Sequence, residues 1–429
     1  MKWVMGLVYT YLVFPCILLI AKTVSLFNSD IRKALNLRYC VFDELRRIKN
    51  KIPHQNKIVL LHAASMGEFE HVKPLITKIK STYNTSIIVT FFSPSAYENV
   101  KQYPGVELFI YLPLDKRSNW QKFYDILKPD LIIISKHDVW PNQIWMAEKY
   151  RIPIFLVNAS LSRNSSRTRF WIRYFLKYVY RSFDHIFAIS TQDMERFAKY
   201  FPLCRVSKMG DTKFDQVLIR KDEAASKHLI PGQWTENNLI ILLGSIWPED
   251  SEHILPVIST ILEKKANVKV IIVPHQPSNH FIESLNAGMQ KFDPVLFTDR
   301  SHLRESRLLI IDVVGVLADL YKYADIAYVG GSFKQGIHNV MEPAIYKIPV
   351  LYGPVHKNSF EAINLHKAGG SVLLNNEKDG LAILEDLIGN ENKRVEIGNM
   401  AYKFAVENLG ATDRIVREWV DYLSQTDRG

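Results

Sequence analysis

The sequence predicts an α/β protein of two Rossmann-like domains in tandem, facing a cleft, behind an N-terminal membrane-anchor helix. Three observations carry that expectation. The chain has 429 residues, more than twice the ~100–200 of an ordinary domain. Short apolar, β-branched runs alternate with stretches of helical spacing, and this alternation occurs as two separate series, the pattern of parallel sheets covered by helices. Finally, Trp3 to Ala21 is a run of 19 residues without a charge, which as a helix reaches ~28 Å, close to the thickness of a hydrocarbon core.

The anchor comes first. Its apolar run is longer than that of a cleavable signal and ends in no small-residue cleavage site, so it is read as uncleaved. From Lys22 to Lys57 nine Lys or Arg stand against Asp30, Asp43 and Glu44, an excess that belongs on the cytoplasmic side. Pro15 and two tyrosines interrupt the run, which leaves open whether the segment spans the bilayer or lies in its surface.

Ile58 to Leu61 reads as a strand, and Phe69, Val72, Leu75, Ile76 and Ile79 recur at helical spacing behind it. The intervening turn offers two readings of Glu68. With Ser65 it has the S-x-x-E spacing of a capping box, or it delivers a carboxylate into the cleft. Gly67 is where a substrate could come close to the backbone. Strands follow at Ser86–Phe92, Lys128–Ser135 and Ile154–Val157, which places Glu68 and the segment from Lys136 to Asn142 at carboxyl ends of strands, where such sheets bind ligands. Arg169, Arg173, Lys177 and Arg181 repeat every four residues and form one helical stripe among Phe170, Trp171, Tyr174, Phe175 and Tyr178. The stripe is either a surface for anionic lipid headgroups or the solvated side of a core helix. His185–Ser190 resumes the sheet, and Met209–Asp215 ends it.

The polar stretch 221–238 reads as a connection. The second series then runs through Leu239–Gly244, Val268–Pro274, Leu308–Asp312, Ile326–Gly331 and Val350–Tyr352. The expected division is 1–28 anchor, 29–220 N-terminal Rossmann-like domain, 221–238 linker, 239–405 C-terminal Rossmann-like domain, and 406–429 a helix returning to the N-terminal domain. In the second domain, Ile326 to Ser332 followed by Gly336 to Pro343 reads as strand, glycine-rich loop and helix start. Gly330 and Gly331 let a phosphate approach the backbone, and free N–H groups would bind it. Bonds from these amides, ~1.5–3 kcal/mol each to a charged group, outweigh a helix dipole of ~0.3–1 kcal/mol. Asn339 and Glu342 have capping-box spacing again, or Glu342 accepts from a ribose diol. The P-loop pattern is absent, which argues against NTP hydrolysis.

With 54 basic and 44 acidic residues the net charge is +10, which calls for an anionic partner. No nucleic-acid-binding signature accompanies it. Cys16, Cys40 and Cys204 form no C-x-x-C pair, so no metal site is expected.

His62-Ala-Ala-Ser-Met-Gly-Glu68, Tyr111-Leu-Pro-Leu-Asp115, Trp140-Pro-Asn142, Gly210-Asp-Thr-Lys-Phe-Asp215, Val329-Gly-Gly-Ser332, His338-Asn-Val-Met-Glu-Pro343 and Gly353-Pro354 follow one another in order. This set resembles the 3-deoxy-D-manno-octulosonic acid (Kdo) transferases of lipopolysaccharide assembly over essentially the whole chain. The resemblance implies the GT-B architecture, an inner-membrane enzyme with its catalytic domains on the cytoplasmic face, and inverting transfer of Kdo from CMP-Kdo to a lipid A precursor. It implies no metal or other cofactor. It makes Glu68 the general base and places Gly330, Gly331, Ser332, Asn339 and Glu342 at the donor. Ser245, His275 and Gly315 occupy further donor positions, although Ser245-Ile-Trp247, His275-Gln276 and Gly315-Val-Leu317 depart from the common Ser-Thr-His, Arg-His and Gly-Glu-Leu. Ser65, Gly67 and Lys136, the last in Lys136-His-Asp138 where many members have Glu-Thr-Glu, fall to the acceptor side. Arg163, Arg167, Arg169, Arg173 and Lys177 would meet lipid phosphates or the membrane. The alternatives are another GT-B enzyme with a UDP donor, and an anchored nucleotide-sugar-binding protein without turnover.

Overall fold

The computed structural model describes residues 2–100 and 102–426. The chain divides into two compact units, 1–216 with 409–429, and 217–408.

The first unit is built on seven parallel strands: β1 (Lys57–Ala63), β2 (Thr85–Phe91), β3 (Val106–Tyr111), β4 (Leu131–Ser135), β5 (Ile154–Ala159), β6 (His185–Ala188) and β7 (Val206–Lys208). Their order is β3-β2-β1-β4-β5-β6-β7, so the winding reverses between β1 and β4, the place where such sheets bind ligands. Alternate residues of a strand face opposite sides. Ile58 and Leu60 accordingly enter one core with Ile132 and Trp120, while Val59 and Leu61 enter another with Phe69, Leu75 and Ile79. Burial on both faces is why the central strands read as unbroken apolar runs.

The second unit repeats the plan with β8 (Leu239–Ile246), β9 (Val268–Pro274), β10 (Val295–Leu296), β11 (Leu308–Ile310), β12 (Ile326–Val329), β13 (Val350–Tyr352) and β14 (Ser371–Leu373). These are ordered β10-β11-β9-β8-β12-β13-β14. Here too Ile241 and Leu243 face one core, and Ile240 and Leu242 the other. Two such units are the components of the GT-B fold.

Several expectations need correction. Strands β3, β7, β10 and β14 were not anticipated, and all lie at or beside a sheet edge, where one flank is open and the apolar signal thins. Lys128 does not belong to a strand; it ends the helix Arg117–Leu127 in the left-handed conformation at φ 51°. Strand β7 ends at Lys208, and Thr212 opens the helix Thr212–Ala225, so Met209–Asp215 is a strand-to-helix turn over 209–211 followed by the first turn of the helix. That helix occupies part of 221–238, and Trp234, 1% exposed, packs with Ile230 in a core of the second unit. The stretch reads as polar because its surroundings are, yet it supplies a large core side chain.

The N-terminal apolar segment is one helix, Trp3–Phe27, long and apolar enough to cross a membrane. It widens into a π-turn at Tyr9–Val13, just before Pro15, a proline whose ring conflicts with a regular preceding turn. The turn directs Tyr9 into the first unit. Its hydroxyl donates to Asp115 Oδ2 at 2.8 Å, and Thr10 donates to Asn142 at 2.7 Å. The opposite side leaves Leu19, Ile20, Leu26 and Phe27 more than 60% exposed. After Asn28 the helix Ser29–Lys49 doubles back against it.

At the other end of the chain, Asp215 accepts from the amides of Gly410 and Thr412 at 2.6 and 2.7 Å. This caps the helix Ala411–Thr426, whose Ile415, Val416 and Trp419 enter the core of the first unit.

Candidate active site

In the first unit the site forms around the carboxyl end of β1. The chain turns through Ala64 and Ser65 into the helix Met66–Thr82. Ser65 Oγ accepts from the Glu68 amide at 3.4 Å, and Glu68 Oε2 accepts from the Ala64 amide at 2.7 Å. Reciprocal capping is therefore realised, shifted by one residue from the usual partner. No bond to Glu68 Oε1 occurs among the described residues, and the side chain is only 7% exposed. The carboxylate is thus held by one oxygen and presents the other. A side chain at position 67 would meet only Ser65 Oγ, at 4.0 Å, so the protein's own packing does not demand glycine there.

His62, fully buried on β1, places Nδ1 against Thr90 Oγ1 at 2.9 Å and Nε2 against Asp138 Oδ2 at 2.8 Å. Asp138 also accepts from Trp140 Nε1 at 3.1 Å. Burial pushes the Asp138 carboxyl up, but the bonds from His62 and Trp140 and the nearby imidazoles more than reverse this, and its pKa lies below the ordinary value. Lys136 follows β4 at φ 60°, turning the chain so that His137 lies beside Glu68. The His137 pKa is lowered by desolvation and by the Arg167 charge, against an opposing pull from Glu68. Glu68, Ser65, Gly67, Lys136 and Arg167 are therefore gathered at one end of the sheet. Sequence reasoning passed over His62, His137 and Asp138; the one available signal was that His62 and Asp138 fall in motifs at two strand ends.

Arg167 commits its donors within the protein, to Ser160 O at 2.6 Å, Tyr180 Oη at 3.2 Å and Ser165 Oγ at 3.3 Å, so it shapes the loop after β5. Arg163 and Arg169 are exposed. Arg173 and Lys177 lie along the helix Phe170–Tyr180, half-buried, and Arg173 sits over the Tyr200 ring at 5.7 Å. That helix packs Phe175 against Tyr9 and leaves Trp171 81% exposed. The basic stripe thus borders an apolar surface rather than a plain solvated face.

In the second unit, β8 and β12 end side by side. Ser245 takes φ 53°, and a Cβ on Gly330 would lie 2.3 Å from its carbonyl oxygen. Gly331, at φ 81°, has the backbone conformation that favours glycine. Asp250, fully buried, fastens this junction: Oδ2 accepts from the amides of Trp247 and Gly331 at 2.9 and 2.7 Å, and Oδ1 from Tyr328 Oη at 2.8 Å. Its signal in the sequence was a helix-capping position behind Trp247-Pro248. Ser332 is wholly buried, and its Oγ accepts from the Gly353 amide at 2.7 Å; it supports the loop from beneath.

The helix expected after this loop is a single turn, Met341–Ala344. Loop amides and not a helix terminus are consequently what the segment can offer an anion. Asn339 Oδ1 accepts from the Met341 amide at 3.0 Å, and Asn339 Nδ2 donates to Glu342 Oε1 at 3.2 Å. The same Oε1 pairs with Arg220 at 2.8 Å. Glu342, read from the sequence as a cap or as an acceptor for a ribose diol, thus already holds cationic and amide partners at Oε1.

His275 stacks on Trp247 at 4.5 Å and on His338 at 4.3 Å. Trp247 Nε1 donates to His338 Nε2 at 2.7 Å, which places the His338 proton on Nδ1. Burial lowers the pKa of both imidazoles, so the stack is uncharged at neutral pH. It was invisible in the sequence because its members come from three separate strand ends. Gly315, at φ 89°, is open, with no atom within 4 Å of a built Cβ. Among the described residues no cluster of His, Cys, Asp and Glu could hold a metal ion.

A substitution tests the β8–β12 junction. Gly330→Ala forces a methyl group against Ser245 O and is expected to destabilise the second unit by ~1–3 kcal/mol, the usual range for overpacking. Denaturant titration checks the stability, and a parallel loss of nucleotide binding checks the loop.

These observations meet the comparisons with known proteins. The sequence profile of a family described as 3-Deoxy-D-manno-octulosonic-acid transferase (kdotransferase) matches residues 39–216. The 3-deoxy-D-manno-octulosonic acid transferase of Haemophilus influenzae is 30% identical over 376 residues, covering 86% of this chain and 87% of that protein. This chain belongs to the Kdo transferase family. The Aquifex aeolicus Kdo transferase is 29% identical, covering 81% of this chain and 91% of its own length. Among solved structures, UDP-N-acetylglucosamine 2-epimerase from Neisseria meningitidis, bound to UDP-GlcNAc, superposes with a TM-score of 0.61 at 14% identity, covering 85% of this chain and all of that one. At that identity the likeness concerns the fold alone.

Proposed function

We propose that this Kdo transferase moves Kdo from CMP-Kdo to a hydroxyl of a lipid A precursor, lipid IVA, with inversion, at the cytoplasmic face of the inner membrane. Glu68 takes the proton of the acceptor hydroxyl through Oε1 as that oxygen attacks the anomeric carbon. The anomeric bond to the CMP phosphate breaks on the opposite face, and the amides of the Gly330–Val340 loop receive the developing phosphate charge. The observation that carries the reading is the held carboxylate of Glu68 at the carboxyl end of β1, in a chain 30% identical to a Kdo transferase over most of its length.

The neutral Trp247–His275–His338 stack supports recognition of the donor by ring contacts and hydrogen bonds rather than by an imidazolium. Phosphate is a good leaving group, so the mechanism calls on no general acid, and no metal enters it. Exposed Trp171, the basic residues Arg163, Arg169, Arg173 and Lys177, and the apolar outer side of Trp3–Phe27 support contact with lipid and its phosphates.

The test is transfer from CMP-Kdo, generated in the assay, to a tetraacyl lipid A precursor by the full-length protein in a membrane mimic, with UDP-sugars as competing donors. Product from CMP-Kdo alone is expected. Turnover with a UDP-sugar, or nucleotide binding without turnover, would replace the reading.

A further inference from the structure

A cavity of about 300 Å³ lies between the helical hairpin of residues 14–49 and the ends of β2 and β3. That volume is in the lower range of small-molecule sites. Phe14, Leu18, Ala21 and Ala34 form the hairpin wall, and Phe92 and Trp140 the far wall. Among the described residues, two charged side chains border it. Asp115 is fully buried and already accepts from Tyr9, Trp120, Asn142 and Gln143. Arg38 donates to Leu112 O at 3.0 Å and Phe92 O at 2.9 Å, with its guanidinium 4.7 Å from the Phe92 ring centre. Both polar groups are therefore consumed in holding the walls, and what they enclose is hydrocarbon surface. Such a space left empty forfeits contacts on every side, and a polar occupant would find no partner there.

We propose that this cavity is an acyl-chain slot, occupied by one fatty-acyl chain of the lipid acceptor. This inference rests on the reading of the protein as a transferase acting on an acylated acceptor, and it says how that acceptor is held. Two observations identify the occupant. Ile17 and Val24 line the cavity and are also 44% and 41% exposed, so its mouth opens on the same helix that turns Leu19, Ile20, Leu26 and Phe27 outward. A chain arriving from a bilayer enters without crossing polar surface. At the inner end, the Phe92 and Trp140 rings stack at 5.2 Å. The Ser93 amide bonds Ala64 O at 2.8 Å, and Ala64 in turn bonds Glu68. The wall of the slot is thus continuous with the turn that holds Glu68, so the slot and the candidate site are built on one connected segment.

The experiment uses the full-length protein in detergent micelles with two photoreactive lipids, each carrying a diazirine in mid-chain: a tetraacyl diphosphoryl disaccharide and a phosphatidylglycerol. Adducts are mapped by mass spectrometry, and transfer is measured on the same preparation. The disaccharide is expected to label slot residues such as Leu18, Ala34 and Phe92, with unlabelled tetraacyl disaccharide competing and phosphatidylglycerol not. Ala21→Trp, which fills the mouth, is expected to lower that labelling and to raise KM for the tetraacyl acceptor by about tenfold, the effect of losing burial of roughly two methylenes, with kcat kept. Should Ala21→Trp not fold, Ile31→Trp obstructs the same slot from the second helix. Adducts confined to the outward residues Leu19, Ile20, Leu26 and Phe27, or equal slot labelling by phosphatidylglycerol, would overturn the proposal even if transfer proceeds. Slot labelling by the disaccharide with no transfer would retain the slot and remove the catalytic reading.

Discussion

Glu68→Gln is expected to lower the rate of Kdo transfer by ~10²–10⁴-fold, the usual contribution of a general base, while the protein stays folded. Glutamine has the same shape, and its carbonyl can still accept the Ala64 amide that Glu68 Oε2 accepts at 2.7 Å. Ser65 remains the helix cap. What disappears is an oxygen able to take a proton. The stability cost is the loss of one negative charge in the first turn of the helix Met66–Thr82, ~0.3–1 kcal/mol where exposed, a shift of a few degrees in Tm for a unit of this size. Single-turnover transfer at saturating donor, beside thermal unfolding by circular dichroism, separates the two roles. A loss below about tenfold in transfer would assign Glu68 to capping alone, a role that glutamine keeps through the Ala64 amide.

Which parts of this molecule can be read from its sequence follows from where each residue's partners lie. Strands β1, β2, β4 and β5 are covered on both faces, so each residue is under the same apolar demand, and the run is visible without any partner. Strand β7, Val-Ser-Lys, lies at an edge with no residue buried, and its sequence carries no comparable demand. Glu68 stood out because its capping serine is three residues away. His62 and Asp138 are 76 positions apart, and no periodicity links them. The Trp247–His275–His338 stack shows the same blindness more sharply, since Trp247, visible in the sequence only as a departure from the family pattern, proves to be one member of a stacked set. Asp115 was conspicuous only inside a motif of unexplained purpose. The structure supplies that purpose, because its four donors come from the N-terminal helix, the helix Arg117–Leu127 that follows it and the start of the helix Pro141–Lys149.

That position carries the largest expected effect on stability. Asp115→Ala leaves Tyr9 Oη, Trp120 Nε1 and the amides of Asn142 and Gln143 without their acceptor, all in a buried setting. Hydrogen bonds to a charged group are worth ~1.5–3 kcal/mol each but overlap when they share one acceptor, so a loss of ~3–5 kcal/mol is expected in denaturant titration. Tyr9→Phe removes one of the four and should cost no more than the value of a single bond. The same carboxyl gives a pH signature. Burial raises its pKa to about 6, against the opposing effect of the bonds from Tyr9, Asn142, Trp120 and Gln143. A carboxyl whose folded pKa exceeds its unfolded value of ~3.9 adds stability that is fully present below about pH 4 and is lost as the pH rises through 6. Asp115→Asn cannot titrate, so the difference in stability between wild type and this variant should change between pH 4 and 6 by ~3 kcal/mol, at 1.36 kcal/mol per pKa unit. A pH-independent difference would mean that the carboxyl is ionised throughout, held by its four donors strongly enough to offset its burial. Because Tyr9 belongs to the apolar N-terminal helix, loss of Asp115 should also expose residues 9–28 to protease before the rest of the first unit unfolds.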